Sequence, residues 1–313
     1  MKVVFFGTPA FAVPTLTALT ANPAIDVVGV VTQPDRPRGR GQKITAGAVK
    51  TFAELHGLPV LQPARLADPG VREAIAALDA DLGVVAAYGK LLPAWLLDTP
   101  RQGMLNVHAS LLPAFRGAAP VHRAVMAGAT ETGVTIMRVV PALDAGPMLD
   151  RVIVPIAPDI TSDALERELA AAGATLLVDV MARMRRGPVV ETPQDDTLAT
   201  YAPKITRADA PLDWSRPAGA LHDQVRGLHP WPHASLVCRG RRVIAHRSVV
   251  PGTATTAAAG TVVAAGPAGI DIAAGDGQAL RLLIVQLEGG RPLPVAEFQA
   301  GRGLAVGDVC EPS

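Results

Sequence analysis

Short apolar runs alternate with a segment of helical periodicity in the first part of the chain. Val3–Phe6 and Val27–Val31 predict two buried strands, and the apolar positions within Ala12–Ala21 recur at helical spacing between them. Leu82–Ala87 is almost continuously apolar, which is typical of a central strand that is buried on both faces. The order strand, helix, strand predicts a parallel sheet with crossover helices, and therefore an α/β fold.

The pattern changes in the last third of the chain. Periodicity ends between Arg185 and Arg207, where polar residues dominate. Beyond it, short β-like runs at roughly ten-residue spacing are separated by glycines, which predicts a small barrel or sandwich. These runs are Ala234–Val237, Arg242–His246, Gly260–Ala264, Ile270–Ala273 and Ala279–Gln286. We therefore divide the chain into an α/β domain at 1–186, a linker at 187–207 and a β domain at 208–313.

Composition narrows the class of protein. A chain of 313 residues is longer than one hydrophobic core usually supports, and a hydrophobic content of 49% excludes disorder as a global description. The net charge of +1 gives no overall preference for nucleic acid, so any such binding has to rest on local basic patches. The two cysteines, Cys238 and Cys310, form neither a disulfide framework nor a zinc-binding pattern. We expect a monomer in a reducing cytoplasm.

Neither a leader peptide nor a membrane span is expected. The apolar start Met1–Ala12 superficially resembles a secretory signal, but Gly7, Thr8 and Pro9 interrupt it, so a first strand and helix explain it better. No stretch approaches the ~18 unbroken apolar residues of a membrane-spanning helix.

Two polar side chains stand out on one predicted strand. Asn106 and His108 alternate with apolar residues in the run Met104–His108, so the period of two places both on the same side of the strand. Pro113 then ends regular structure, and Pro120 suits the first turn of a following helix. The pair therefore lies where a strand ends and a loop begins, which is where α/β sheets place ligands.

The residues around this strand resemble a known family. The run from Asn106 reads NVHASLLPAFRGAAP, and it is followed by GVTIM from Gly133 and LDAGPM from Leu143, while FGTP from Phe6 ends the first strand. Together these motifs resemble the folate-dependent formyltransferases, most closely those that act on methionyl-tRNA. The resemblance covers essentially the whole chain. It implies a Rossmann-like formyltransferase domain followed by an OB-like β-barrel domain that binds tRNA.

The resemblance also implies a catalytic set of Asn106, His108 and Asp144. Transfer of a formyl group to an amine must stabilise an oxyanion and remove a proton, and these three side chains have the types that this chemistry needs. An amide donates to an oxyanion, an imidazole changes charge near neutral pH, and a nearby carboxylate favours the imidazolium and orients the ring. We expect Asn106 and protonated His108 to hold the formyl oxygen, and Asp144 to accept the amine proton directly or through a water.

By the same resemblance, two turns bind the co-substrate 10-formyltetrahydrofolate. They contribute Tyr88, Gly89, Ser110, Leu111, Leu112 and Pro113. From the residues alone, Tyr88 is equally well explained by packing, and the leucines by burial against the sheet. The first turn lacks G-x-G-x-x-G, which disfavours a nicotinamide cofactor.

A basic loop follows the second predicted strand. The segment Gln33–Lys43 contains two prolines and two glycines, which predicts that it forms neither a stable helix nor a stable strand. Its positive side chains belong to Arg36, Arg38, Arg40 and Lys43. A solvated surface loop is the simple reading, but the resemblance implies that the loop binds tRNA, with Arg40 directed toward its acceptor end.

A second basic set lies on or beside a predicted hairpin. Alternation would put Arg239 and Arg241 on one face and Arg242 on the other. We expect Arg239 and Arg241 to contact tRNA phosphates, although charged solvent-facing strands are common.

The sequence leaves three other interpretations open. A formyltransferase that acts on a small amine would share the catalytic core, and a formyltetrahydrofolate hydrolase would use water in place of the amine. An RNA-binding protein with a vestigial pocket belongs to another class. No metal site is expected, because the histidines near His229 lie in a proline-locked turn rather than at regular spacing on formed elements.

Overall fold

The computed structural model describes residues 1–38, 43–301 and 303–313, and they form two compact units. The first unit comprises Met1–Ala118, Glu131–Pro155 and Glu166–Ala202, and the second comprises Ala119–Thr130, Ile156–Leu165 and Pro203–Ser313. The helices are α1 (Val13–Thr20), α2 (Ala48–Leu55), α3 (Val71–Ala76), α4 (Ala94–Leu97), α5 (Pro120–Met126), α6 (Ser162–Met184), α7 (Ala218–Gly227) and α8 (Val295–Ala300). Single 3-10 turns cover Ala10–Ala12, Asp196–Leu198 and Arg207–Asp209.

The strands of the first unit are β1 (Lys2–Gly7), β2 (Asp26–Val31), β3 (Arg36–Arg38), β4 (Lys43–Thr45), β5 (Val60–Leu61), β6 (Leu82–Ala86), β7 (Met104–His108), β8 (Arg116–Gly117), β9 (Glu131–Arg138), β10 (Met148–Pro155) and β11 (Tyr201–Ala202). Those of the second unit are β12 (Ala234–Cys238), β13 (Arg241–Val249), β14 (Val262–Gly266), β15 (Gly269–Ala273), β16 (Ala279–Leu287), β17 (Leu293–Pro294) and β18 (Cys310–Pro312).

The first unit is built on one large sheet. Within the described residues it has seven strands in the order β10-β9-β7-β6-β1-β2-β5. The five strands from β7 to β5 run parallel, whereas β9 pairs antiparallel with β7 and β10 pairs antiparallel with β9. Strand β6 is buried along its whole length, as its apolar composition predicts. The Rossmann-like parallel sheet expected from the sequence is confirmed.

Helix α6 packs closely on the middle of this sheet. A Cβ atom on Gly173 would lie 2.8 Å from Val107 Cγ1 and 3.0 Å from Val134 Cγ1, so the absence of a side chain lets the helix approach strands β7 and β9. Leu169 and Leu177, on the buried stripe of the same helix, are fully buried. Val107 therefore faces α6, and its neighbours along β7 face the opposite side of the sheet.

The basic loop differs from its prediction. It contains a small antiparallel ribbon in which β3 pairs with β4, so the expectation that the segment forms no strand was wrong. Pro37 is compatible with an edge strand because an unpaired edge position needs no N–H. The base of the ribbon is fixed by Asp35, which accepts hydrogen bonds from Lys50 Nζ at 2.6 Å and from Gln62 Nε2 at 2.8 Å.

The polar segment after α6 pairs with other parts of the first unit at two places. Thr192 exchanges two backbone hydrogen bonds of 2.8 Å with Met148. Farther along, β11 pairs parallel with β8, and Ala118 N donates to Ala202 O at 3.0 Å. We call residues 192–202 the strap.

The second unit contains a curled antiparallel sheet. Its described strands follow the order β14-β15-β16-β13-β12-β18, with β17 beside β16. The register shifts in β13 on both sides of Arg247, which is the kind of irregularity that bends a strand. Helix α7, which the sequence analysis did not assign, buries Leu221 and Val225 in the core of this unit. The sheet is consistent with the predicted OB-like barrel.

None of the helices in the described ranges combines the length and apolar character that crossing a membrane requires.

Candidate active site

Strand β7 presents Asn106 and His108 on the face opposite α6. The backbone of Asn106 lies between Val85 of β6 and Met137 of β9, and His108 is the last residue of the strand. Asn106 is therefore held between two strands, and His108 is paired with Thr135 of β9 on one side. The predicted placement of the pair at the end of a strand is confirmed.

The imidazole of His108 is oriented by one backbone carbonyl. The side chain is 6% exposed, and its Nε2 lies 3.2 Å from Phe115 O. Because a carbonyl oxygen only accepts, Nε2 carries the hydrogen and donates it to Phe115. The nitrogen that remains for chemistry is Nδ1, and it lies 3.8 Å from Asp144 Oδ1.

The two oxygens of the Asp144 carboxylate have different neighbours: Oδ2 is hydrogen-bonded to the backbone, and Oδ1 faces His108. Asp144 lies between β9 and β10 with a positive φ of 48°, a conformation that non-glycine residues rarely adopt. Its Oδ2 accepts a hydrogen bond of 2.9 Å from Gly117 N. Since Oδ2 is engaged by this peptide, Oδ1 faces the imidazole of His108. The structure thus brings together two of the three candidate catalytic side chains from separate loops.

The amide of Asn106 has no hydrogen-bond partner among the described residues, and the residue is only partly buried. An amide in this state is able to donate to a ligand without first breaking a bond inside the protein. It shares a strand face with His108, two residues away.

The turn after β6 combines a buried ring with an open backbone. Tyr88 is 1% exposed and packs edge to face on Phe6 with ring centroids 5.7 Å apart, and burial raises the pKa of its hydroxyl to about 12. Its carbonyl accepts hydrogen bonds from Gln33 Nε2 at 2.8 Å and Thr8 Oγ1 at 3.1 Å. Gly89 next to it is exposed, with φ of 78°. The exposed backbone of Gly89, rather than the ring or the carbonyl of Tyr88, is therefore available to a ligand.

The turn after β7 also combines groups that are engaged inside the protein with groups that are exposed. The Ser110 hydroxyl donates to Ala114 O at 2.6 Å, and Thr135 Oγ1 donates to Ser110 O at 2.7 Å, so Ser110 shapes the loop. Leu112 is fully buried in the core, whereas Leu111 and Pro113 are partly exposed. Of the two leucines, only Leu111 can offer its side chain to a ligand.

Three residues outside the predicted site contact these loops. For one of them, Arg116, the sequence leaves open a contact with a substrate anion and a structural ion pair. Gln194, Thr200 and Arg116 link the strap to the loops that follow β7 and β9. Gln194 and Thr200 lie in a segment without periodicity, so no signal in the sequence identifies them. Arg116 stands in the family-like run, but its partners are distant in sequence.

The chain matches one protein family over most of its length. Residues 1–181 match the formyl transferase family, and residues 204–303 match the formyl transferase C-terminal domain. A methionyl-tRNA formyltransferase from Burkholderia thailandensis is 47% identical over 100% of this chain and 97% of its own. One from Pseudomonas paraeruginosa is 47% identical over 96% of both chains.

The chain belongs to the methionyl-tRNA formyltransferase family. It is thus an enzyme of formyl-group transfer, as the sequence motifs predicted.

Solved structures share the fold of the enzyme at much lower identity. An N-formyltransferase from Helicobacter canadensis, solved with folinic acid and dTDP-3-aminofucose, has a TM-score of 0.69 at 15% identity and covers 90% of this chain and 98% of its own. HypX from Aquifex aeolicus, solved with tetrahydrofolic acid, has a TM-score of 0.63 at 17% identity, and the match spans 97% of this chain but 48% of HypX. These similarities establish the fold, and both neighbours were solved with folate derivatives.

The basic residues of the enzyme's first unit lie on and next to the ribbon. Arg36 is exposed and donates from Nη2 to Gln33 Oε1 at 2.7 Å, so its hydrogen-bond partner among the described residues is neutral. Arg38 ends β3 and Lys43 begins β4. Arg40 lies outside the described residues.

The basic residues of the second unit stand at a hairpin, as predicted, but Arg239 is not on a strand. It occupies the turn between β12 and β13 with φ of 51°, so the alternation expected for Arg239 and Arg241 was wrong. A turn residue does not follow the period of two. The Arg239 guanidinium pairs with Asp308 at 2.7 Å and remains 50% exposed, while Arg241 lies in β13 and is partly buried.

No cluster of three or more potential metal ligands occurs in the part of the enzyme that the structure describes.

Proposed function

We propose that this enzyme transfers the formyl group of 10-formyltetrahydrofolate to the α-amino group of methionyl initiator tRNA. The observation that carries the proposal is the approach of Asp144 to His108, with the unpaired amide of Asn106 on the same strand, in a chain that matches methionyl-tRNA formyltransferases along its whole length. Carboxylate, imidazole and amide are the groups that acyl transfer to an amine requires.

Each of the three side chains has a role in this proposal. When bound, 10-formyltetrahydrofolate supplies the formyl carbon that the amine attacks. Asn106 donates from its amide to the formyl oxygen as negative charge develops there, and protonated His108 donates to the same oxygen from Nδ1. Asp144 uses Oδ1 to accept the proton that the amine loses, directly or through a water, while Gly117 keeps Oδ2 in place. The bond between the formyl carbon and N10 of the folate would then break, and N10 would take up that proton, so that tetrahydrofolate leaves.

The folate site of the proposal is formed by the turns after β6 and β7. Gly89, which follows the buried Tyr88, would offer its exposed backbone, and the loop from Ser110 to Pro113 would offer Leu111 as an apolar wall. Leu91 follows Gly89 by two residues and is 79% exposed, and Leu143 precedes Asp144 and is 47% exposed. Exposed apolar side chains of this kind would suit an aromatic pterin ring.

Two basic sets would hold the tRNA by its phosphates. The basic segment Gln33–Lys43 would contribute Arg36, Arg38, Arg40 and Lys43, and the hairpin of the second unit would contribute Arg239 and Arg241. Phosphate contacts of this kind supply affinity and position rather than base recognition. We also propose that the enzyme works as a monomer in the cytoplasm, where its tRNA substrate is charged.

The other interpretations lose support from the relatives. A small-amine substrate is not favoured, because the relatives that are 47% identical over 96% or more of this chain are methionyl-tRNA formyltransferases. A non-catalytic RNA-binding protein would have no reason to keep an oriented His108 and Asp144 together.

The test is a formylation assay with radiolabelled 10-formyltetrahydrofolate. We expect labelled formylmethionine from methionyl initiator tRNA and little from methionyl elongator tRNA. Label on glycinamide ribonucleotide or an amino sugar but not on tRNA would overturn the proposal, and so would release of free formate as the sole product.

A further inference from the structure

The strap lies between the two matched family segments. Those segments end at residue 181 and resume at residue 204, so neither of them includes residues 192–202. In the structure, however, the strap is part of the first compact unit together with β7. It pairs with the loops on either side of the candidate active site, through Met148 at one end and β8 at the other.

Gln194 connects the strap to the loop that carries Asp144. Its Nε2 donates to Asp144 O and to Gly146 O, both at 2.8 Å. The carbonyls that it joins lie on the two sides of Ala145, so one amide group spans the turn. Gln194 is partly buried, whereas the residues on both sides of it in the strap are exposed.

Arg116 fixes which way the Gln194 amide points. Its Nε and Nη2 both donate to Gln194 Oε1, at 3.0 and 2.7 Å. Because a guanidinium only donates, the opposite end of the amide must be the NH₂ group, and this group faces the two carbonyls. Arg116 is itself held by Asp196 of the strap at 2.7 Å, and its side chain is 14% exposed.

The loop that carries Asp144 has a strained backbone, which has to be held in place by neighbouring groups. Asp144 has a positive φ of 48°, and a Cβ atom on Gly146 would lie 1.9 Å from Arg138 O, so the turn is pressed against β9. A strained residue persists when its surroundings fix it in place. The hydrogen bonds from Gln194 provide this at the residue whose carboxylate faces His108.

The strap also reaches His108 through a second chain of contacts. Thr200 Oγ1 accepts a hydrogen bond of 2.8 Å from Phe115 N, and Thr200 O accepts one of 2.9 Å from Arg116 N. Phe115, with a φ of 58°, presents the carbonyl that receives His108 Nε2–H. One segment thus supports both groups that meet at 3.8 Å.

We propose that the strap is a third part of the active site, in which Gln194 is a positioning residue that holds the Asp144 carboxylate against His108. The inference rests on the proposed function, since it assigns the two side chains their partnership in formyl transfer. Gln194 contacts neither substrate; it acts through Asp144. A displacement of about 1 Å at a catalytic group is enough to cost up to about 100-fold in rate.

The experiment compares two substitutions at one position. Gln194→Ala removes the acceptor for Arg116 and also the donor for the carbonyls of Asp144 and Gly146. Gln194→Glu keeps the acceptor for Arg116 and loses only the donor for the two carbonyls. We expect each to lower kcat for methionyl-tRNA formylation by about 10- to 100-fold with little change in either KM. Val190→Gln, two residues before the strap and 81% exposed, is the control and should retain wild-type kcat.

A double-mutant comparison separates positioning from general structure. In an Asp144→Asn background, Gln194→Ala should cause almost no further loss, because the group that it positions is already disabled. Losses that multiply in the double variant would overturn the proposal. Full activity of Gln194→Glu would also overturn the proposal, since the hydrogen bonds from Gln194 to the carbonyls of Asp144 and Gly146 would then be dispensable.

Amide hydrogen exchange gives a readout that needs no substrate. Gln194→Ala should speed exchange at Gly117 and in the loop 141–147, while exchange in β1 and β6 stays at the wild-type rate. An unchanged exchange rate at the Gly117 amide would contradict the positioning role of Gln194. If the wild-type enzyme formylates no tRNA but the exchange result holds, the proposed function fails and the positioning role survives.

Discussion

Asn106 offers the sharpest test at the scale of single residues. Its amide is unpaired among the described residues, so its removal leaves no broken bond inside the protein. Asn106→Ala should therefore lower kcat by about 100-fold, equivalent to about 3 kcal/mol of lost transition-state stabilisation, with the melting temperature unchanged.

The control for this prediction is Asn22→Ala, at the only other asparagine of the chain, which bonds to Ala24 N in a distant turn. Its kcat for methionyl-tRNA should match that of the wild type. Equal rates for a folded Asn106→Ala variant and the wild-type enzyme would remove Asn106 from the catalytic set.

His233 makes stability depend on pH. Burial, followed by His246 and His229, lowers the pKa of His233 to about 4, and the rings of His246 and His229 lie at centroid distances of 4.1 and 5.2 Å. The folded state holds the imidazole neutral, whereas the unfolded chain takes up a proton below pH ~6.5. The free energy of unfolding that this residue contributes is thus present at neutral pH and is lost as pH falls toward about 4.

Denaturant titrations between pH 7 and pH 4.5 test whether the unfolding free energy falls on acidification as predicted. His233→Gln should show a shallower loss of stability on acidification than the wild-type protein, and the exposed control His56→Gln should follow the wild type. A steeper loss in His233→Gln would contradict the assignment.

At the scale of secondary-structure elements, the contact between α6 and β7 sets the site in place. Gly173 leaves just enough room for Val107, whose neighbours on the opposite face are Asn106 and His108. The sequence predicted the strand and the shared face of Asn106 and His108, because apolar periodicity reports local geometry directly.

Gly173→Leu should separate the helix from the strand. We expect a loss of about 1–3 kcal/mol in unfolding free energy, measured by urea denaturation, and a lower kcat at temperatures where the variant is folded. Ala171→Leu adds the same side chain on the exposed face of the same helix and should change neither quantity. Equal stability of the two variants would mean that the close approach of α6 is not required.

The strap could not be predicted at this scale. Its residues form a two-residue strand and single turns, and their partners lie about 50 to 85 positions away in the chain. The segment therefore reads as a linker, because hydrogen bonds from Gln194 and Thr200 to distant loops leave no periodic trace. The short ribbon at Arg36 was missed for a related reason, since two prolines outweigh strand propensity in any local reading.

At the scale of the whole molecule, a net charge of +1 means that tRNA affinity must come from local sets of arginine and lysine. Arg36 is exposed, and its hydrogen-bond partner is the neutral Gln33, so its charge is available to a phosphate. Arg36→Ala should weaken tRNA binding at low salt and reduce the slope of log Kd against log salt concentration by about 1.

The matched control is Arg65→Ala, at an exposed arginine that already pairs with Asp68 at 2.8 Å. Filter binding with methionyl-tRNA over a range of salt concentrations compares the three proteins. A slope that is the same for Arg36→Ala and the wild type would remove Arg36 from the tRNA contacts.

In the proposed mechanism, the Asp144 carboxylate that faces His108 serves the transfer of formyl to methionyl-tRNA. The most direct measurement is the single-turnover rate of formylation of methionyl initiator tRNA by Asp144→Asn, with folate and tRNA both saturating. Loss of the proton acceptor predicts a rate at least about 100-fold below that of the wild-type enzyme, with unchanged affinity for both substrates. A wild-type rate in the folded variant would contradict the account.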